Sequence, residues 1–142
     1  MATRSTIAME QPDGRVMQIY CHWDGYLGHN GRILDRAYQD RAKVYALMLL
    51  GDLISLGSEI GEPHDPNQTQ GPVREQCTAF GRDRGERDCH ARVFKNYDDY
   101  VDRHQYEEYE YIYRQDGVWY VSHGGDYGPL APTLEKVDKE AV

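Results

Sequence analysis

Alternation of apolar and polar positions marks both ends of the chain as β structure. Residues Thr3 to Glu10 and Arg15 to Trp23 read as two strands, with Gln11-Pro12-Asp13-Gly14 between them. Proline presets the first turn position and glycine accepts a positive φ, so this segment predicts a hairpin. Towards the other end, Tyr109, Tyr111 and Tyr113 alternate with Glu108, Glu110 and Ile112. Asp116-Gly117 then supplies a two-residue turn signal, and Val118 to His123 returns. If those two residues are the whole loop, Tyr113 faces Tyr120 and Ile112 faces Val121.

Between the hairpins the period changes from strand to helix. Ile33, Leu34, Ala37 and Tyr38, then Val44, Leu47 and Met48, fall at helical spacing. Asp40 is placed to cap a second helix from Arg41, and Gly51 to stop it. Asp52 to Leu56 reads as a short extension, and Gly57 to Gln76 as a long surface loop. Cys77 to Phe80 and His90 to Phe94 read as strands flanking a polar turn, and Asn96 as the cap of a helix over Tyr97 to Arg103. Residues 129–142 read as a flexible tail, which leaves 1–128 as a single domain. The expected fold is α+β: a mostly antiparallel sheet from the N- and C-terminal hairpins, with helices packed on one face.

Composition sharpens this picture. A chain of 142 residues folds as one domain and needs no disulfide or metal. A mean hydropathy of -0.81 predicts a small core with long loops. The 12 tyrosines against 2 phenylalanines favour half-buried positions, where a ring is covered and a hydroxyl stays bonded. The net charge of -8 disfavours direct binding to nucleic acid or to an anionic membrane, and suits a basic partner. Cys21, Cys77 and Cys89 show no pairing pattern and read as reduced thiols of a cytoplasmic protein. The apolar run from Val44 to Leu56 is broken by Gly51 and Asp52, too short to span a membrane, and the N-terminus lacks the apolar stretch of a signal peptide.

Two polar stretches carry the candidate chemistry. Tyr20-Cys21-His22-Trp23-Asp24-Gly25-Tyr26 closes the second strand, and Phe80-Gly81-Arg82-Asp83-Arg84-Gly85-Glu86 is its counterpart. Arginine forks grip phosphate and aromatic rings stack on bases. His22, Trp23, Asp24 and Tyr26 with Arg82, Asp83 and Arg84 are therefore a candidate site for a phosphate-bearing or nucleotide ligand. Cys21 with His22 could form a nucleophile and base, but neighbours on a strand diverge, which favours a buried thiol beside an exposed imidazole. Neither C-x-x-C nor H-x-x-x-H occurs, so no metal or cofactor is expected. A third stretch weaves acids with tyrosines. Glu107, Glu108, Tyr109, Glu110 and Tyr111 make a candidate surface for a basic protein, although an edge strand with solvated carboxylates gives the same pattern.

Taken together, Ile19 to Tyr26, Gly51-Asp52-Leu53-Ile54-Ser55-Leu56, Phe80 to Glu86 and Tyr106-Glu107-Glu108-Tyr109-Glu110-Tyr111 resemble a family of short, uncharacterised bacteriophage and prophage proteins. The resemblance spans the chain from the first strand to the last hairpin. It implies a phage origin and expression in a bacterial cytoplasm. It further implies an accessory protein that binds and inhibits a bacterial host protein, such as a component of antiviral defence. Self-association is left open by the sequence.

Overall fold

The computed structural model describes residues 2–68 and 71–140. The first hairpin forms as its turn residues dictate: β1 (Ser5–Glu10) and β2 (Val16–Cys21) pair antiparallel from Ser5↔Cys21 to Glu10↔Val16. Gly14 takes a φ of +93°, and its N–H bonds the Gln11 carbonyl at 2.9 Å. A π-helical turn (Leu27–Gly31) leads into α1 (Arg32–Ala37). The α2 helix (Arg41–Leu50) starts where Asp40 accepts from the Ala42 N–H at 3.3 Å, and stops at Gly51 with φ +84°. The next elements are β3 (Leu53–Ser55), β4 (Thr78–Ala79), α3 (Phe80–Arg84) and β5 (Arg92–Phe94). The polar turn expected at Arg82 is thus one short helix, closed by Gly85 at φ +72°. The α4 helix (Tyr97–Arg103) is capped by the Asn96 side chain, which accepts from the Asp99 N–H at 2.8 Å. Then follow β6 (Tyr109–Tyr113), β7 (Trp119–Ser122), β8 (Gly128–Pro129) and α5 (Leu130–Glu140).

The strands make one sheet in the order β4-β3-β2-β1-β6-β7-β8, with β5 also paired to β2. The two hairpins join side by side through a parallel ladder, β1 against β6, from Ser5↔Tyr109 to Met9↔Tyr113. The other long ladders are antiparallel, so the fold is α+β with a mostly antiparallel sheet. Between β5 and β3 the edge of β2 has a gap. The Asp52 carboxylate fills it, accepting from the Tyr20 N–H at 2.8 Å while Arg92 clamps both its oxygens at 2.7 and 3.0 Å.

Both faces of the sheet are covered. On one, Ile7, Met9, Ile19 and Tyr111 pack with Leu34, Val44, Leu47 and Met48 of α1 and α2. The same core takes in Leu130 and Leu134 of α5. Burying two leucines stabilises by about 1.5–3 kcal/mol each, which is why residues 130–140 form a docked helix and not the expected flexible tail. Residues 141–142 lie outside the described residues. On the other face, Ala8, Val16 and Ile112 pack with Phe94 and with Tyr100 of α4. Helices therefore cover both faces, whereas the hydrophobic pattern predicted one.

The C-terminal hairpin corrects the expected register. Arg114 donates to the Val118 carbonyl, which leaves Gln115-Asp116-Gly117 as a three-residue loop with Gly117 at φ +76°. Tyr113 consequently faces Trp119, and Ile112 faces Tyr120. The hairpin tips are tied together: Glu10 accepts from Arg114 at 2.8 Å and from the Gln115 N–H at 3.0 Å.

Candidate functional site

Among the clefts of the described residues, two each take up part of a predicted site. The first, of about 370 Å³, lies beyond the ends of β2, β3 and β4. Trp23, Asp24, His29, Arg74, Gln76 and Thr78 line it. Three local departures from regular structure meet here. Asp24 holds a left-handed φ of +57°, His29 sits on the π-helical turn, and the β3–β4 ladder shifts register between Leu53 and Ser55. Positive φ at non-glycine residues, π turns and bulges all concentrate at functional sites. The loop is anchored to the sheet: the Gly25 N–H donates to Thr3 O at 2.8 Å, and the Tyr111 hydroxyl donates to Gly25 O at 2.7 Å. Asn30, fully buried, reaches Ser5 Oγ at 3.3 Å and Trp23 O at 3.4 Å.

The expected counterpart does not join this cleft. Arg82 spends all five N–H donors inside the protein, on Asp83 at 3.0 and 3.2 Å and on the carbonyls of Ile60, Gly61 and Cys77 at 2.8–3.2 Å. A phosphate could bind it only by breaking that set. Asp83 is fully buried, and also accepts from the Ala79 N–H at 2.7 Å and the His64 N–H at 3.1 Å. Arg84 pairs with Glu86 at 2.7 Å and lies over the Phe80 ring. Of the other predicted residues, His22 bonds the Tyr20 hydroxyl at 2.8 Å, and Tyr26 stands exposed beside His29. Cys21 is buried, and burial pushes its thiol up to about 12, so it is held protonated and cannot serve as a nucleophile.

The second cleft, of about 690 Å³, lies between α4, the segment after it and the loop from Ser122 to Tyr127. Its walls are the rings of Tyr97, Tyr106 and Tyr127, and its rim carries the carboxylates of Asp98, Glu107 and Asp126. Neither lysine nor arginine is among the residues lining it. The floor is a buried network. His104 Nδ1 lies 2.7 Å from the Tyr100 carbonyl, which can only accept, so Nδ1 carries a proton. His104 Nε2 meets Glu110 Oε1 at 2.9 Å, and the Tyr127 hydroxyl donates to the same oxygen at 2.9 Å. The Tyr100 hydroxyl is 3.0 Å from that of Tyr127 and donates to it, because the Tyr127 proton is already committed. Burial, then the neighbouring Tyr100 and Glu110, push the Tyr127 phenol well above its ordinary range. Both ring nitrogens of His104 are engaged, so this network fastens α4 to β6 and leaves no free base for a substrate.

This geometry redraws the predicted partner surface. Glu110 and Tyr111 are buried on opposite faces of the sheet. Tyr109 is half-buried and stacked on His123, with ring centroids 4.1 Å apart. Glu108 is exposed, and Glu107 stands on the cleft rim, held by Gln105 at 2.8 Å. The sequence reading missed His104 and Tyr127 altogether. A signal for His104 was present: Tyr97, Tyr100 and His104 repeat at the spacing of one helical face. Tyr127 had none, because only the return of the β7–β8 loop brings it to Glu110.

Among the described residues, no three of His, Cys, Asp and Glu gather as metal ligands, and no helix is long and apolar enough to cross a membrane. No family model, no curated protein and no solved structure matches the chain. Fold and site define an α+β domain with an acidic, tyrosine-walled cleft on one sheet face and a polar cleft at the sheet end.

Proposed function

We propose that this is a binding protein whose acidic cleft takes a basic segment of a protein partner. The observation that carries the reading is the acidic rim: Asp98, Glu107 and Asp126 around three tyrosine rings, with no lysine or arginine among the lining residues. Carboxylates steer a cation into such a cleft, and tyrosine faces hold a guanidinium or ammonium group by cation–π attraction. The net charge of -8 adds a long-range pull on a basic partner. The resemblance to phage proteins supports reading it as a phage-encoded accessory factor. In this reading it acts in the bacterial cytoplasm by binding and inhibiting a host protein, a counter-defence role against an antiviral component.

The test is calorimetric titration of an arginine-containing peptide into the wild type and into the Glu107→Gln/Asp126→Asn double variant. Each carboxylate is worth up to about 1 kcal/mol at an exposed rim, so the double variant binds roughly tenfold more weakly. Binding that is absent in the wild type, or equal in the two, ends this reading. Partner capture from host lysate by the wild type and by the same variant then identifies the target.

A second reading, a small phosphate-bearing or nucleotide ligand, keeps Trp23 and Asp24 but replaces its cation. Arg82 and Arg84 are committed elsewhere, whereas Arg74 lines the Trp23 cleft. Quenching of Trp23 reports such a ligand, because Trp119 is buried and lies outside this cleft.

A further inference from the structure

The Trp23 cleft contains an arrangement that the binding function does not use. Thr78 lines it, and Thr78 Oγ1 lies 3.0 Å from Nε2 of His64. The other ring nitrogen of His64, Nδ1, is 2.8 Å from the Glu62 carbonyl. A carbonyl only accepts, so Nδ1 holds the proton. In the neutral ring Nε2 is then a bare acceptor, and the Thr78 hydroxyl donates to it. A hydroxyl bonded to a base, with the base oriented by a third group, is the geometry of an activated oxygen nucleophile.

The surroundings hold this pair in place. Asp83 accepts the His64 main-chain N–H at 3.1 Å, and its Oδ1 lies 3.7 Å from His64 Nδ1. The same carboxylate accepts the Ala79 N–H at 2.7 Å, so one buried group fixes the strand next to Thr78 and the loop that carries His64. The His64 side chain is 7% exposed and Thr78 is 7% exposed, which keeps bulk water off the base while Thr78 still borders the cleft. Trp23 and Leu56 give that cleft an apolar wall against which an acyl or aryl group fits. The register shift between Leu53 and Ser55 lies on the strand that pairs with Thr78, and bulges re-aim side chains beside active sites.

We propose that Thr78 and His64 form a nucleophile–base pair that hydrolyses small carboxylic esters bound in the Trp23 cleft. Thr78 Oγ1 forms a bond to the ester carbonyl carbon as its proton passes to His64 Nε2, and the carbonyl electron pair moves to oxygen. Collapse of that adduct breaks the bond to the alcohol oxygen, which leaves with the proton from Nε2. Water then attacks the acyl-threonine, His64 takes its proton, and the carboxylic acid departs as Thr78 regains its hydrogen. Ester and water become acid and alcohol, with no redox partner.

The experiment uses the full chain with p-nitrophenyl acetate, followed by release of nitrophenolate and by peptide mass spectrometry. The expected result is an acetyl group on the peptide containing Thr78. Thr78→Val abolishes the adduct, Thr78→Ser retains it, and His64→Gln slows acetylation by about a hundredfold, the usual loss for a general base. Circular dichroism melts confirm that each variant is folded. Should a variant fail to fold, the site of the wild-type adduct decides alone. Acetylation elsewhere, no adduct at all, or an equal rate in a folded His64→Gln protein overturns the proposal. None of these outcomes touches the acidic cleft, whose peptide titration stands separately.

Discussion

Asp83 is the side chain whose loss separates the structural reading most sharply from the sequence one. As a ligand residue on a solvated turn it could be changed at little cost. In the structure its carboxylate is fully buried and accepts four hydrogen bonds, two from main-chain N–H groups and two from Arg82. Asp83→Asn keeps the shape but removes the charge and turns one acceptor into a donor. Arg82, whose side chain is 16% exposed, is left with an uncompensated charge. Breaking one side of a buried ion pair costs about 3–5 kcal/mol, or roughly 10–16 °C in Tm for a domain of this size. Guanidinium unfolding followed by circular dichroism measures it. The loss also has a pH signature. Burial alone would raise the Asp83 carboxyl; the Arg82 bonds and the N–H groups of Ala79 and His64 outweigh burial and hold it below its ordinary 3.8. A depressed folded pKa contributes stability that is present above the unfolded value and disappears as pH falls through the folded one. The gap between wild type and Asp83→Asn therefore narrows below about pH 4. A loss under about 1 kcal/mol at pH 7, or a gap unchanged at acid pH, would refute the assignment of Asp83 as the anchor of this region.

Leu134 is 4% exposed in the core against the sheet, so Leu134→Ala lowers unfolding free energy by about 2–5 kcal/mol, where a free tail would give none. Gly25→Ala places a Cβ 2.7 Å from that of Ser5 and 2.9 Å from the Thr3 carbonyl, and denaturation should report a loss of about 1–3 kcal/mol. Of the three thiols, Cys21 and Cys77 are buried and Cys89 is half-exposed, so an aromatic disulfide reagent titrates Cys89 first in the native protein. Raising pH from 7 to 9 leaves Cys21 unreactive, because burial moves its thiol up to about 12; rapid labelling of Cys21 at pH 9 contradicts that.

Local chemistry was legible wherever one residue decides one piece of backbone. Pro12-Asp13-Gly14 makes its turn, Asp40 and Asn96 cap their helices, and Gly51 stops α2. What the chain pattern did not reveal was non-local. Nothing in either hairpin announces the parallel β1–β6 ladder, because alternation is the same for both pairing directions. One extra loop residue at Gln115 was enough to move every cross-strand partner of β6 by one position. In α5 the helical pair Leu130 and Leu134 was masked by the glycines and prolines before and within it.

The acid–tyrosine stretch shows why site residues were harder to read than elements. Alternation along Glu108, Tyr109, Glu110 and Tyr111 puts the carboxylates in water only for a sheet with one wet face. Here α5 covers the Tyr111 side and α4 covers the Glu110 side, so the same alternation buries both. A buried carboxylate needs partners, and Glu110 has them in His104, Tyr127 and the Glu107 N–H, at 2.9, 2.9 and 3.4 Å. Satisfying Glu110 draws the loop carrying Tyr127 towards α4, and the space left between them is the cleft. The acids on the cleft rim are Asp98 on α4 and, beside this network, Glu107 and Asp126, the last two 19 residues apart in the chain and brought together by the fold around Glu110.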